Sequence, residues 1–227
     1  MDRRTWLAER RAATVAVYDA EASAYESYGY PTALQGEFVV RLVETCPAGG
    51  VILDAPCGTG KYFAAVAAAG RRVVGIDQSA GMLAEAGAKG IAESLAQVGL
   101  QELAFEHEFD AAMTVDAMEN VSPEDWPAVL ANLHRAVRPG AHLYLTVEEL
   151  REDLVDAAFA DLAARGAPAV RGEVVHGDVA GYHYYPGRDR VLGWLAAEGL
   201  EVVEEAHSAG DDDTWGYRHL LLRAPAG

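Results

Sequence analysis

Residues 51–60, Val51-Ile52-Leu53-Asp54-Ala55-Pro56-Cys57-Gly58-Thr59-Gly60, constrain the chain more than any other stretch. Three apolar residues run into an acid. A tight turn with two glycines follows, and Lys61 to Ala69 then reads as a helix stopped by Gly70. The pattern is a buried strand, a turn, and a helix packed back on the strand. Arg72 to Asp77 returns as a second buried strand that closes on a second acid.

A strand–turn–helix–strand unit of this kind takes a nucleoside at the carboxyl ends of its strands. Gly58 and Gly60 let a ligand lie against the backbone of the turn. Asp77, 19 residues after Gly58, stands where an acid reaches a ribose hydroxyl, in dinucleotide sites as well. Two features separate the possibilities. The third glycine of a dinucleotide fingerprint is replaced by Phe63, and Asp54 sits awkwardly beside a pyrophosphate but suits an ammonium or sulfonium group.

With Asp77, the run Asp54-Ala55-Pro56-Cys57-Gly58-Thr59-Gly60 resembles the class I S-adenosylmethionine (SAM)-dependent methyltransferases of the small-molecule type. Phe109 to Met113 resembles that family's fourth strand, and Leu130 to Gly140 its helix and turn before the fifth. The resemblance runs from about Tyr18 to the C-terminus and is weakest from Arg151 to Gly181. Pro56 departs from it, standing where many members have glycine and removing one N–H donor.

The resemblance implies an α/β, Rossmann-like three-layer sandwich. Its seven-stranded, mostly parallel sheet has the order 3-2-1-4-5-7-6 with the last strand antiparallel, under a helical N-terminal lid. It divides the single domain into the lid (1–46), the SAM-binding core (47–149), a substrate-recognition insert (150–186) and a C-terminal helix with a strand pair (187–227). It implies cofactor contacts at Asp54, Ala55, Gly58 and Gly60 on the turn and at Asp77 and Gln78 after the second strand. Met82, Leu100 and Gln101 fall around the adenine, and Val115 at the end of the fourth strand. Many members have an acid near Leu100 that bonds the adenine amine; here that bond passes to Gln101 or to backbone groups.

Tyr18 to Pro31 resembles the tyrosine-rich entry segment that folds over the cofactor. Tyr18 and Tyr25 are expected to face the cofactor, with Tyr28 and Tyr30 toward the acceptor; cation–π caging suits a sulfonium. Tyrosines also anchor an N-terminal helix to a core, and the sequence leaves both uses open, as it does for Met82, which suits a core equally. After the fourth strand, Glu119 and Asn120 replace a pair of histidines common in relatives. Glu119 is the leading candidate to orient or deprotonate the acceptor, with Asn120 beside it. A carboxylate near a sulfonium has its pKa lowered, which limits it to orienting or to an already acidic nucleophile. The other base candidate is His183, in the aromatic strand Gly181 to Pro186. Alternation puts Tyr182 with Tyr184 on one face and His183 with Tyr185 on the other; one pair is expected to face the pocket, and Tyr182 and Tyr184 are the acceptor-binding candidates. Aromatics and a histidine here serve packing equally well.

Composition narrows the rest. At 227 residues and 51% hydrophobic, the chain is long enough for one sizeable core. No apolar run approaches a membrane span, and the N-terminus lacks a signal peptide's apolar stretch. Two cysteines, one of them in the glycine turn, argue against a disulfide framework and for a cytoplasmic setting. Two lysines against sixteen arginines suggest a GC-rich bacterial genome. The net charge of −17 opposes nucleic-acid partners. Asp211 to Asp213 lacks Ca²⁺-loop spacing and no cluster has zinc spacing, so no metal is expected. The acceptor is expected to be a small molecule such as a natural product, and the protein a monomer or homodimer. A SAM-binding protein with another role and a nicotinamide-dependent oxidoreductase are the alternatives.

Overall fold

A computed structural model describes residues 1–28, 32–177, 181–210 and 213–227; Tyr30, Asp211, Asp212 and the side chain of Tyr28 lie outside it. The elements in order are α1 (Arg3–Glu21), a 3-10 helix (Ala22–Tyr28), α2 (Ala33–Thr45), β1 (Val51–Asp54), α3 (Phe63–Ala68), β2 (Arg72–Asp77), α4 (Ala80–Ala88) and β3 (Ser94–Gln97). Then come β4 (Phe109–Thr114), α5 (Trp126–Ala136), β5 (Val137–Leu150), α6 (Glu152–Ala164), β6 (Glu173–Val175), β7 (Tyr182–Tyr184), α7 (Arg188–Ala197), β8 (Glu201–Ala209) and β9 (Trp215–Arg223), with short 3-10 turns at Leu100–Glu102 and Met118–Asn120.

The main sheet has the order β3-β2-β1-β4-β5-β9-β8. β9 runs antiparallel to both of its neighbours and the five strands before it are parallel. This is the expected seven-strand order, because β6 and β7 leave the series to pair only with each other. Glu173–Val175 supplies one half of that small hairpin.

Helices cover both faces of the sheet, as alternating strands and helices require. On one face Phe38 and Leu42 of α2 and Phe63 and Val66 of α3 pack on Met113, Tyr144 and Leu221. On the other, Trp126, Val129 and Leu133 of α5 and Leu195 of α7 pack on Leu145, Leu220 and Leu222. Leu220, Leu221 and Leu222 thus alternate between two cores, the two-residue period of a strand buried on both sides. Local signals set the helix starts. Thr32 and Gln35 form a reciprocal capping box on α2, and Ser79 caps α4 by accepting from Met82 N.

Phe63, standing where a dinucleotide site has glycine, shapes the turn from behind. Gly60 has φ +75°, and a Cβ there would lie 2.5 Å from the Phe63 ring. A Cβ on Gly75 in β2 would meet Cys57 Sγ and Leu95 at 2.8 Å and Phe63 at 2.9 Å. Gly75→Ala is therefore expected to destabilise the fold by about 1–3 kcal/mol through overpacking. Urea unfolding would register this as a lower midpoint at unchanged slope.

Candidate active site

The parallel strands end together on one edge, and a cavity of about 290 Å³ opens there. From the end of β3 to the start of β9 it runs across the sheet edge, so residues distant in sequence share one wall. At the β2 side Asp77 is held by two backbone donors, Gly58 N at 2.9 Å and Ser79 N at 2.8 Å. Burial pushes its carboxyl above the usual range, with both N–H groups opposing. Gln78, Met82, Leu100 and Gln101 continue this end of the lining. Arg11 of α1 closes over it, reaching Gln78 Oε1 at 3.3 Å and pairing with Glu102.

The N-terminal segment covers the cavity and is fastened at two points. Asp19 accepts from Ser79 Oγ at 2.6 Å and from Gly81 N at 2.9 Å. Glu26 takes Thr59 Oγ1 at 2.5 Å on the glycine turn and Lys89 Nζ at 2.6 Å. Between these ties Tyr18 and Tyr25 line the cavity, edge to face at 6.0 Å. Lys61 Nζ stands 4.4 Å from the centre of the Tyr25 ring.

Toward β9 the wall is Val115, Asp116 and Asn120 after β4, with Trp215 and Tyr217 opposite. Asp116 has φ +56°, a strained conformation for a residue with a side chain. Its N–H donates to Thr146 Oγ1 at 2.7 Å and its Oδ1 accepts from the Tyr217 hydroxyl. Burial raises the Asp116 carboxyl; the Tyr217 bond opposes this and Glu148 adds to it.

Several expected site residues lie elsewhere. Asp54 ends β1 just beneath the turn, wholly buried, and its Oδ2 has no partner among the described residues. Burial, and then Asp77, holds its carboxyl well above the usual range. Ala55 and Gly60 are not in the lining: Ala55 N is spent on Met113 O at 2.9 Å, and Gly60 N on Cys57 O at 2.8 Å. Gly60 serves the packing of Phe63 instead.

Glu119 is set behind the wall. Its Oε1 accepts from Asn120 Nδ2 at 3.1 Å and its Oε2 is unpartnered among the described residues. Burial, and then Asp116 and Glu148, hold its carboxyl well above the usual range.

Neither face of the aromatic strand lines the cavity. The Tyr182 hydroxyl donates to Glu173 Oε1 at 2.8 Å and its ring packs edge-on against Trp6. The Tyr184 hydroxyl accepts from Arg190 at 2.6 Å. His183 Nδ1 lies 2.9 Å from Glu148 Oε2 and 3.1 Å from the Tyr185 hydroxyl. No described residue between 150 and 186 lines the cavity; the wall expected from that segment is built by Thr32, Gln35, Lys61, Tyr62, Trp215 and Tyr217.

The residues fit a SAM molecule. The cavity offers the Asp77 carboxylate and aromatic faces suited to a sulfonium, and beneath its lining Asp54 has an oxygen that no described residue satisfies, a donor set that suits a ribose and an ammonium. No group of three or more metal-ligating side chains that could hold an ion occurs among the described residues.

Comparison with known proteins agrees with this geometry. Residues 52–140 match the family model of a methyltransferase domain. The ubiquinone biosynthesis O-methyltransferase of Pseudomonas paraeruginosa is 32% identical over 105 residues, 44% of this chain and 44% of that protein. The malonyl-[acyl-carrier protein] O-methyltransferase of Yersinia pestis is 32% identical over 128 residues, 55% of this chain and 47% of that one. The chain thus aligns with less than half the length of either relative. Among solved structures, the 1,6-didemethyltoxoflavin-N1-methyltransferase of Burkholderia thailandensis superposes with a TM-score of 0.71 at 18% identity, covering 99% of this chain and 91% of that one.

Proposed function

Residues 52–140 match the model of a methyltransferase domain and the sheet has the class I strand order, and on that premise we propose that the chain is a SAM-dependent methyltransferase that moves a methyl group from SAM to a hydroxyl or amine of a small molecule. The observation that carries this reading is the pair of acids ending the first two strands. Asp77 lines the cavity between two backbone donors, and Asp54 lies beneath it with an oxygen that no described residue satisfies.

In this reading Asp77 holds the ribose, Gln78, Met82, Leu100 and Gln101 surround the adenine, and Asp54 takes the ammonium. Tyr18 and Tyr25 cover the reacting end. SAM supplies a methyl group already activated by positive sulfur. The protein's part is then to hold the acceptor in line and to exclude water. The lid ties at Asp19 and Glu26 serve the second task. The small acceptor follows from the covered cavity and from a charge of −17, which opposes nucleic acids. No described helix is long and apolar enough to cross a membrane.

The test is calorimetric titration with S-adenosylhomocysteine (SAH), with NADH and NADPH as controls. A micromolar dissociation constant for SAH and none measurable for either nicotinamide is expected. Tight binding of a nicotinamide cofactor instead would overturn the assignment.

A further inference from the structure

Asp116 differs from the other acids near the cavity. Only it and Asp77 line the cavity among the described carboxylates, and Asp77 has both oxygens occupied by backbone N–H groups. Asp116 accepts from the Tyr217 hydroxyl at Oδ1, and its carboxylate lines the cavity with no backbone N–H group shown on Oδ2. The residue holds a left-handed φ of +56° that asparagine, aspartate and glycine tolerate best, fastened by Thr146. A strained backbone that presents a carboxylate to a cavity is a feature of functional sites.

Its surroundings favour positive charge. Glu119 lies behind it with a buried, unpartnered Oε2, and Glu148 is close enough to both to raise their pKa. Aromatic faces of Tyr18, Tyr25, Tyr62 and Tyr217 line the same cavity. The lining cations are Arg11, engaged by Glu102 at the far end, and Lys61, which stands over Tyr25 and, like His183 behind the wall, is near enough to Asp116 to oppose the rise in its pKa.

We propose that the acceptor is a small molecule carrying a basic nitrogen, which pairs with Asp116 Oδ2 and is caged by Tyr18, Tyr25 and Tyr217; this rests on the SAM reading above. A hydroxyl acceptor must shed its proton and become anionic. The phenols already present report how the site treats that change: burial first, then Asp116 and Glu119, push Tyr25 and Tyr217 upward, and burial followed by Glu119 does the same to Tyr18. An amine gains from the same groups, through the ion pair and through cation–π contact. The proton balance closes at Asp116. The ammonium gives one proton to Oδ2 and frees its lone pair. The N–C bond then forms as the C–S bond breaks with its electrons to sulfur. The products are an N-methylammonium and a neutral thioether, and Asp116 returns its proton to water.

The test measures binding, so it does not require the true acceptor. Protein saturated with SAH is titrated at pH 7 with benzylamine and with benzyl alcohol, followed by ligand-detected NMR. Benzylamine is expected to bind at least about ten-fold more tightly, as for a charge-assisted bond. In Asp116→Asn the preference is expected to fall to within about two- to three-fold. Asparagine tolerates the left-handed φ and still accepts from Tyr217, and retained SAH affinity in the variant certifies its fold. Equal affinity for the two probes, binding of neither, or a preference unchanged in the variant overturns the proposal. Failure to bind SAH at all removes the SAM reading itself, a separate result obtained before either probe is added.

Discussion

Asp54→Asn is expected to make the free protein more stable and the cofactor complex weaker. Asp54 is buried at the end of β1 with one oxygen unpartnered among the described residues, and burial and Asp77 raise its pKa. An unsatisfied buried polar group costs about 1–3 kcal/mol, and a charged one more. Asparagine keeps the shape and removes the charge, so a gain of about 1–3 kcal/mol at pH 8 is expected for the free protein. In the proposed complex the same carboxylate accepts from the ammonium of the cofactor. A charge-assisted bond of about 1.5–3 kcal/mol then disappears, and SAH affinity falls about ten- to hundred-fold.

The pH dependence has a definite sign. A carboxyl whose folded pKa lies above its unfolded value of 3.8 binds its proton more tightly when folded. Its contribution is fully present below that value and is lost as pH rises through the folded value. The stability gap between Asp54→Asn and the parent protein should therefore be small near pH 4 and widen toward pH 8. Thermal unfolding across that range, with and without SAH, measures both halves. A variant less stable than the parent at pH 8 would mean that Asp54 has no uncompensated charge in the free protein.

Asp54 stood out in the sequence, yet it lies buried beneath the cavity and outside its lining. The pattern of three apolar residues, an acid and a glycine turn was legible because it is local: strand, turn and helix follow within twenty residues. The strand order followed from the family resemblance that this local pattern carries. Roles set by topology were not legible. Trp215 and Tyr217 reach the cavity because β9 runs antiparallel to β5, which brings its first residues to the carboxyl ends of the parallel strands. No motif near residue 215 announces this.

Alternation in β7 told which side chains share a face but not what each face would meet. The buried acceptor Glu173 and the donor Arg190 drew Tyr182 and Tyr184 away from the cavity. Gly60 was read as room for a ligand, whereas the room is taken by Phe63, three residues on. Asp116 carried no sequence signal, since a left-handed φ in a non-glycine residue is imposed by its partners, here Thr146 and Tyr217.

Glu173→Ala is expected to produce the largest loss of stability of any single change proposed. Glu173 is fully buried, and Arg3 reaches its two oxygens at 2.8 and 2.9 Å. Tyr182 and Val170 N donate to the same carboxylate at 2.8 and 2.6 Å. It therefore joins the first turn of α1 to the β6–β7 hairpin. Truncation leaves the buried Tyr182 hydroxyl and Val170 N–H without their acceptor and the part-buried Arg3 guanidinium with only the half-exposed Glu124 and Pro168 O, a loss of about 3–5 kcal/mol. The double variant Arg3→Met/Glu173→Leu removes both charges together and should recover most of that loss. Tyr182→Phe should cost only about 0.5–1.5 kcal/mol. Because Asp19 still ties the other end of α1 to Ser79 and Gly81, SAH affinity should fall less than about ten-fold in Glu173→Ala, against a much larger drop in unfolding free energy. Urea unfolding paired with SAH titration separates the two. An affinity loss as large as that of Asp54→Asn would show that the lid is governed from its Arg3 end, with the Asp19 tie secondary.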